Sequence, residues 1–143
     1  MDKKNNLLIV DDNTSNLMEL SHILGPDYTI YAVTNGISAV EKAKKSLPDL
    51  ILLDIVMPEM NGFEVLAELQ KSETTEKIPV IFITGLTDSA NEEKGLSLGA
   101  VDYIYKPFKQ VIVKHRVLNQ IKIVNLQREL KSAHFAAQKA VII

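Results

Sequence analysis

Five short apolar runs, each followed by a segment of helical spacing, constrain this chain more than any other feature. They are Leu7-Leu8-Ile9-Val10, Tyr28 to Val33, Leu50-Ile51-Leu52-Leu53, Pro79-Val80-Ile81-Phe82-Ile83 and Val101 to Tyr105. Each is too short for a helix of its own. The first, third and fourth are unbroken, which suits strands buried on both faces, and the second is rich in β-branched and aromatic residues. Five strand-helix units imply an α/β fold: a five-stranded parallel sheet, covered by helices on both faces and joined by right-handed crossovers.

The intervening segments carry helix signals of their own. Asn13-Thr14-Ser15 offers capping side chains to a helix with Leu17, Leu20, Ile23 and Leu24 on one face, and Gly25-Pro26 ends it. Asn35-Gly36 opens a second helix, whose expected inner face is Ile37, Val40, Ala43 and Leu47. Asn61-Gly62 between apolar residues is ordinarily a hairpin signal. Here Phe63, Val65, Leu66 and Leu69 follow at helical spacing among Glu64, Glu68 and Lys71, so the pair starts a third helix. Ser89 and Glu92 form a capping-box pattern for a fourth, which is short, polar and weakened by Gly95, with Gly99 closing it.

From Phe108 to Ala140 there is no Gly or Pro. Val113, Val117, Ile121 and Val124 suit packing on the sheet. Ile123, Leu126, Leu130, Ala133, Ala137 and Ala140 alternate steps of three and four, the seam of a short coiled coil. The expected division is therefore a domain over residues 1–120 and a helical extension over 121–143. Val141-Ile142-Ile143 brings no stop signal, so the extension is expected to lead into an output domain.

Composition removes several function classes. The 143 residues suffice for one domain with a full core, and 46% hydrophobic with 24% charged residues is a globular balance. A net charge of -2 provides no basic field for direct nucleic-acid binding. The absence of a long apolar run or secretory segment points to a cytoplasmic protein with no membrane contact. Zero cysteines exclude disulfides, thiolate metal sites and a cysteine nucleophile. His22, His115 and His134 have no partners at ligand spacing.

In a parallel sheet, four strand ends bring Asp11, Asp12, Asp54, Thr84 and Lys106 to one edge, where open α/β sheets bind ligands. Three carboxylates in one crevice repel and raise one another's pKa unless a cation joins them. Hard oxygen donors with room for water suit Mg2+. Three aspartates, one lysine and one Mg2+ sum to zero charge, so one carboxylate can approach a phosphoryl group and accept it as an acyl phosphate. Thr84 and Lys106 would hold the phosphoryl oxygens left free, and Gly85 would leave room for the incoming group.

Leu8-Ile9-Val10-Asp11-Asp12, Leu53-Asp54-Ile55-Val56-Met57-Pro58, Thr84-Gly85 and the stretch from Gly99 to Lys106-Pro107-Phe108, in that order, resemble the receiver domain of the two-component response regulator family over about residues 5 to 120. The resemblance implies a flavodoxin-like doubly wound (βα)5 fold and Asp54 as phosphoacceptor. It also implies that Asp12 and Asp54 bind Mg2+ directly, with Asp11 acting mainly through water and the Val56 backbone carbonyl completing the metal site. Thr84 and Tyr103 become a switch pair, and Lys106-Pro107 a cis peptide that aims the lysine inward. The phosphoryl donor would be a sensor histidine kinase, a phosphotransfer protein or a small phosphodonor.

A receiver of this kind catalyses only its own phosphorylation and slow dephosphorylation. Phosphorylation should pull the Thr84 hydroxyl inward, admit Tyr103, and shift the fourth helix. Self-association, as a homodimer through the last helix or the face of the fourth helix, fifth strand and fifth helix, would pass the change onward. Val56 and Leu86, two residues beyond Asp54 and Thr84, are apolar and cannot orient water, so a phosphoryl lifetime of minutes or longer is expected. The competing reading is a flavodoxin-like nucleotide-binding or phosphate-independent interaction module. Acids stand after the first strand where a phosphate-cradling loop would lie, which disfavours nucleotide binding.

Overall fold

A computed structural model describes residues 3–85 and 89–142, apart from the side chains at 89–91 and 141–142; Leu86 lies outside the described residues. Strands β1 (Asn6–Val10), β2 (Thr29–Val33), β3 (Leu50–Asp54), β4 (Val80–Thr84) and β5 (Asp102–Tyr105) alternate with helices α1 (Thr14–Leu24), α2 (Gly36–Ser46), α3 (Gly62–Gln70), α4 (Ser89–Leu98) and α5 (Gln110–Ile142). The strands form one parallel sheet in the order β2-β1-β3-β4-β5. Because the chain turns back across β1 to reach β3, a crevice opens between the carboxyl ends of these two strands.

Alternation along each strand divides the core between the two faces. Leu8, Val10, Ile51, Leu53 and Phe82 pack with residues of α2 and α3, while Leu7, Ile9, Leu50, Leu52, Ile81 and Ile83 pack with α1 and α5. Each such side chain contributes about 1.5–3 kcal/mol by leaving water. All of β3 and β4 is buried, as unbroken apolar runs require.

The helices follow their sequence signals with one correction. The Asn13 side chain accepts from the Ser15 and Asn16 amides, and α1 buries Leu17, Leu20, Ile23 and Leu24 as its spacing predicts. Asn61 and Glu64 make a reciprocal capping box that starts α3. In α2 the buried face is Gly36, Ala39 and Ala43, with Val40 packed against the core; of the expected inner face Ala43 and Val40 hold, while Ile37 and Leu47 do not. Ile37 is 57% exposed, and Leu47 is the left-handed C-cap at 48% exposure. The close approach of α2 to its neighbours leaves room only for small residues: a Cβ at Gly36 would lie 2.8 Å from that of Met60. Ser89 opens α4, but its expected capping contact lies outside the described residues, and Gly99 follows the helix at φ +111.

Helix α5 runs unbroken past residue 120. Val113, Val117 and Ile121 are buried against the sheet, while Ile123, Leu126 and Leu130 of the seam are exposed. The extension is nonetheless tied to the amino-terminal edge of the sheet. Asn125 exchanges side-chain hydrogen bonds with Asn5, and Arg128 pairs with Asp49, a buried carboxylate that also accepts from the Asn6 amide at 2.7 Å. No helix among the described residues is long and apolar enough to cross a membrane.

Candidate functional site

The carboxyl edge of the sheet gathers every residue the strand ends predicted. Asp54 is the last residue of β3 and is 3% exposed, Asp11 follows β1 fully buried, and Asp12 faces solvent. One oxygen from each of these three carboxylates lies within 4.8 Å of the others. Lys106, at the end of β5, places its ammonium 3.1 Å from Asp11 Oδ2 and 3.4 Å from Asp54 Oδ1. The Lys106-Pro107 peptide is cis, and the Lys106 amide donates to the Thr84 carbonyl at 2.9 Å, which ties β5 to β4 beside the site. Thr84 is 2% exposed at the end of β4.

Local structure holds these groups in place. Asp11 Oδ1 accepts from the Asn13 amide at 2.9 Å, and Oδ2 from the Asn16 side chain at 3.2 Å. Gly62 allows α3 to begin directly behind the acceptor, since a Cβ there would stand 2.4 Å from the Asp54 carbonyl oxygen. Sequence reasoning placed Asn13 and Gly62 as helix signals only and did not reach Asn16. The one available hint was that Asn16 lies in the first turn of a helix opening straight from Asp11-Asp12. At Gly85 a Cβ would meet nothing within 4 Å, so the space beside Thr84 is open whatever residue stands at 85.

The electrostatics are unbalanced in favour of negative charge. Asp54 has its carboxyl pushed up to about 7, first by burial and then by the Asp11 charge; Lys106 opposes this, and Asp12 adds to it. Burial lowers the Lys106 pKa, but hydrogen bonding and charge from Asp11 and Asp54 outweigh it, so the ammonium is held above its ordinary range. One lysine thus does not neutralise three acids. Hard, convergent oxygens carrying excess charge, one of them open to water, fit a hydrated divalent cation such as Mg2+. Val56 lies in the loop just beyond β3, with its side chain 62% exposed.

Alternation puts Thr84, Tyr103 and Tyr105 on the α4 face of the sheet. Tyr103 is buried, with its hydroxyl donating to the Glu92 carbonyl at 3.1 Å, and the Tyr105 hydroxyl is bonded to the Glu92 carboxylate. Burial, then the Glu92 charge, raises the Tyr103 pKa. Glu92, read from the sequence only as part of a helix cap, is therefore a tie between β5 and α4.

Fold and site together define a doubly wound α/β module with an acidic pocket at the topological switch point of its sheet. Residues 7–118 match the family model for the response regulator receiver domain, and the chain belongs to that family. It is 45% identical over 111 residues to a probable cyclic di-GMP phosphodiesterase of Vibrio cholerae, covering 78% of this chain and 25% of that protein. It is 33% identical over 138 residues to the response regulator PleD of Caulobacter vibrioides, covering 96% of this chain and 30% of the relative. The chain thus spans a quarter to a third of the length of these relatives.

Among solved structures, a putative response regulator from Chloroflexus aurantiacus superposes with a TM-score of 0.80 at 29% identity, covering 84% of this chain and 99% of that one. The receiver domain of a sensor histidine kinase from Pseudomonas aeruginosa, solved with a magnesium ion coordinated in its active-site cleft, gives 0.77 at 28% identity, with coverage of 84% and 99%. The chain is accordingly a receiver domain of the two-component type, working in phosphorelay signalling.

Proposed function

We propose that Asp54 is the phosphoacceptor of this receiver. The observation that carries the reading is the convergence of Asp11, Asp12 and Asp54 around one point at the sheet edge, with the Lys106 ammonium against two of them. An ionised Asp54 oxygen attacks the phosphorus of a phosphohistidine or small phosphodonor; the bond from phosphorus to the donor breaks, and the donor leaves with that electron pair. Lys106 exchanges part of its contact with Asp54 for a phosphoryl oxygen, and the Thr84 hydroxyl donates to another.

Asp12, Asp54 and the Val56 carbonyl would hold Mg2+, with Asp11 acting through water. When bound, the ion supplies positive charge that keeps Asp54 ionised and offsets the charge of the incoming group. The donor is a sensor histidine kinase or a phosphotransfer protein. The module spans residues 1–120, and the helix over 121–143 links it to an output domain in the cytoplasm. The likeness to the Vibrio cholerae protein favours cyclic di-GMP chemistry for that output.

Phosphorylation acts through Thr84 and Tyr103 on α4 and on self-association. The exposed Ile123, Leu126 and Leu130 stripe supports pairing of two α5 helices. Incubation with acetyl phosphate and Mg2+ followed by intact-mass measurement tests the chemistry. One phosphoryl group should be added, with none on D54N; undiminished labelling of D54N refutes the assignment. Unchanged oligomeric state on beryllofluoride addition would count against the self-association step.

A further inference from the structure

Helix α4 carries a glycine at its centre, where glycine weakens a helix, and the phosphoryl chemistry gives no reason for it. Gly95 is buried on the side of α4 that faces β4 and β5. A Cβ there would sit 1.8 Å from the Tyr103 hydroxyl oxygen, 2.9 Å from Tyr103 Cζ and 2.9 Å from Phe82 Cδ2. Carbon contacts are comfortable at about 3.5–4.0 Å, so the phenol and a side chain at 95 exclude one another.

Phe82 has no room to retreat, so a side chain at 95 would have to displace the Tyr103 ring. Phe82 is fully buried and packs edge-on against Phe63 with centroids 5.3 Å apart. The Tyr103 ring lies between Phe82 at 5.7 Å and Tyr105 at 6.3 Å. Its hydroxyl donates to the Glu92 carbonyl, one helical turn before Gly95, and accepts from the Gly95 backbone amide. The ring tip is thus seated on the α4 backbone itself.

We propose that Gly95 is the positioning residue of the switch: its missing side chain makes a notch in α4 that admits the Tyr103 ring, and filling that notch sets where α4 sits on β4 and β5. The inference rests on the reading of Thr84 and Tyr103 as the pair that reports phosphorylation at Asp54. The atoms closest to a Cβ at 95 belong to Tyr103 and Phe82 alone, so the glycine acts through the ring and not on the acidic pocket. A glycine that was merely tolerated would behave differently, because alanine is the better helix former.

The test compares wild type, G95A, Y103A and G95A/Y103A, with 3-fluorotyrosine incorporated to report Tyr103 by 19F NMR and Y103F used to assign its resonance among the four tyrosines. In G95A the Tyr103 resonance should move to a solvent-exposed position and ignore beryllofluoride with Mg2+, and Tm should fall. Acetyl phosphate should still label Asp54. In the Y103A background the same Gly95→Ala change should raise Tm, since helix propensity then acts alone. A G95A protein with raised Tm and an unmoved Tyr103 resonance overturns the notch. Should G95A not fold, a folded G95A/Y103A supports the notch, whereas failure of the double variant while Y103A folds overturns it. A wild-type resonance that ignores beryllofluoride, with G95A still expelling the ring, overturns the switch reading and leaves the notch standing.

Discussion

Replacing Asp54 with asparagine should stabilise the metal-free protein, by an amount that depends on pH. Asparagine keeps the shape of the neutral carboxyl and removes only its ionisation. In the folded protein that ionisation is opposed by burial and by Asp11, so the carboxyl titrates at about 7 against 3.8 for the free group. The folded state binds this proton more tightly than the unfolded chain. Stability from the group is therefore complete below 3.8 and is lost as pH rises toward about 7.

Each unit corresponds to about 1.36 kcal/mol, which puts the full penalty near 4 kcal/mol. The pocket is open to water on the Asp12 side and the ammonium of Lys106 can adjust, so screening reduces the expected gain to about 1–2 kcal/mol. For a chain of this size that is a rise in Tm of roughly 3–8 °C. Urea unfolding of wild type and D54N in EDTA from pH 4 to pH 8 measures it. Every other side chain is common to the two proteins, so the difference isolates the group at position 54. The gap should be near zero at pH 4, grow through pH 5 to 7, level off above that, and narrow when Mg2+ is added. A D54N protein no more stable than wild type at pH 8, or a gap independent of pH, would refute the electrostatic account of the pocket.

Removing the cation with K106M should leave Asp11 and Asp54 facing each other without their shared ammonium and cost about 1–3 kcal/mol in metal-free urea unfolding at pH 7, with a slower rate of labelling by acetyl phosphate. Asn61→Ala should cost about 1 kcal/mol by opening the cap of α3, read as a lower Tm with labelling retained. The phosphorylated wild type should keep its phosphate for minutes or longer. Val56→Asn, which sets a polar side chain on the exposed loop beyond β3, should shorten that lifetime in a mass-spectrometric decay series. Leu130→Glu on the exposed seam should abolish any dimer seen by sedimentation while leaving the fold intact by circular dichroism.

Local pattern was enough wherever a single element answers to its own periodicity. The four buried residues of α1 and the helix start at Asn61-Gly62 follow from spacing and capping alone, because a helix turns a single apolar stripe to the sheet and its cap is made within a few residues. The meeting of Asp11, Asp54, Thr84 and Lys106 was also legible, since parallel strands must all end at the same edge. The inner face of α2 was not legible. Ala43 is buried as its spacing implies, but Gly36 and Ala39 are buried in place of Ile37 and Leu47 because the distance to the neighbouring layer, not hydrophobicity, selects what fits.

The chain by itself thus determined five strands, their parallel course and the acids at their ends, because alternation and strand-end placement are properties of sequence order. Only the tertiary structure decided which groups compete for one space: Tyr103 against a side chain at 95, Arg128 of the long helix against the buried Asp49, and three carboxylates against a single ammonium. Such contacts join residues of different elements, and their energies change with shifts of an ångström or less, which periodicity does not encode.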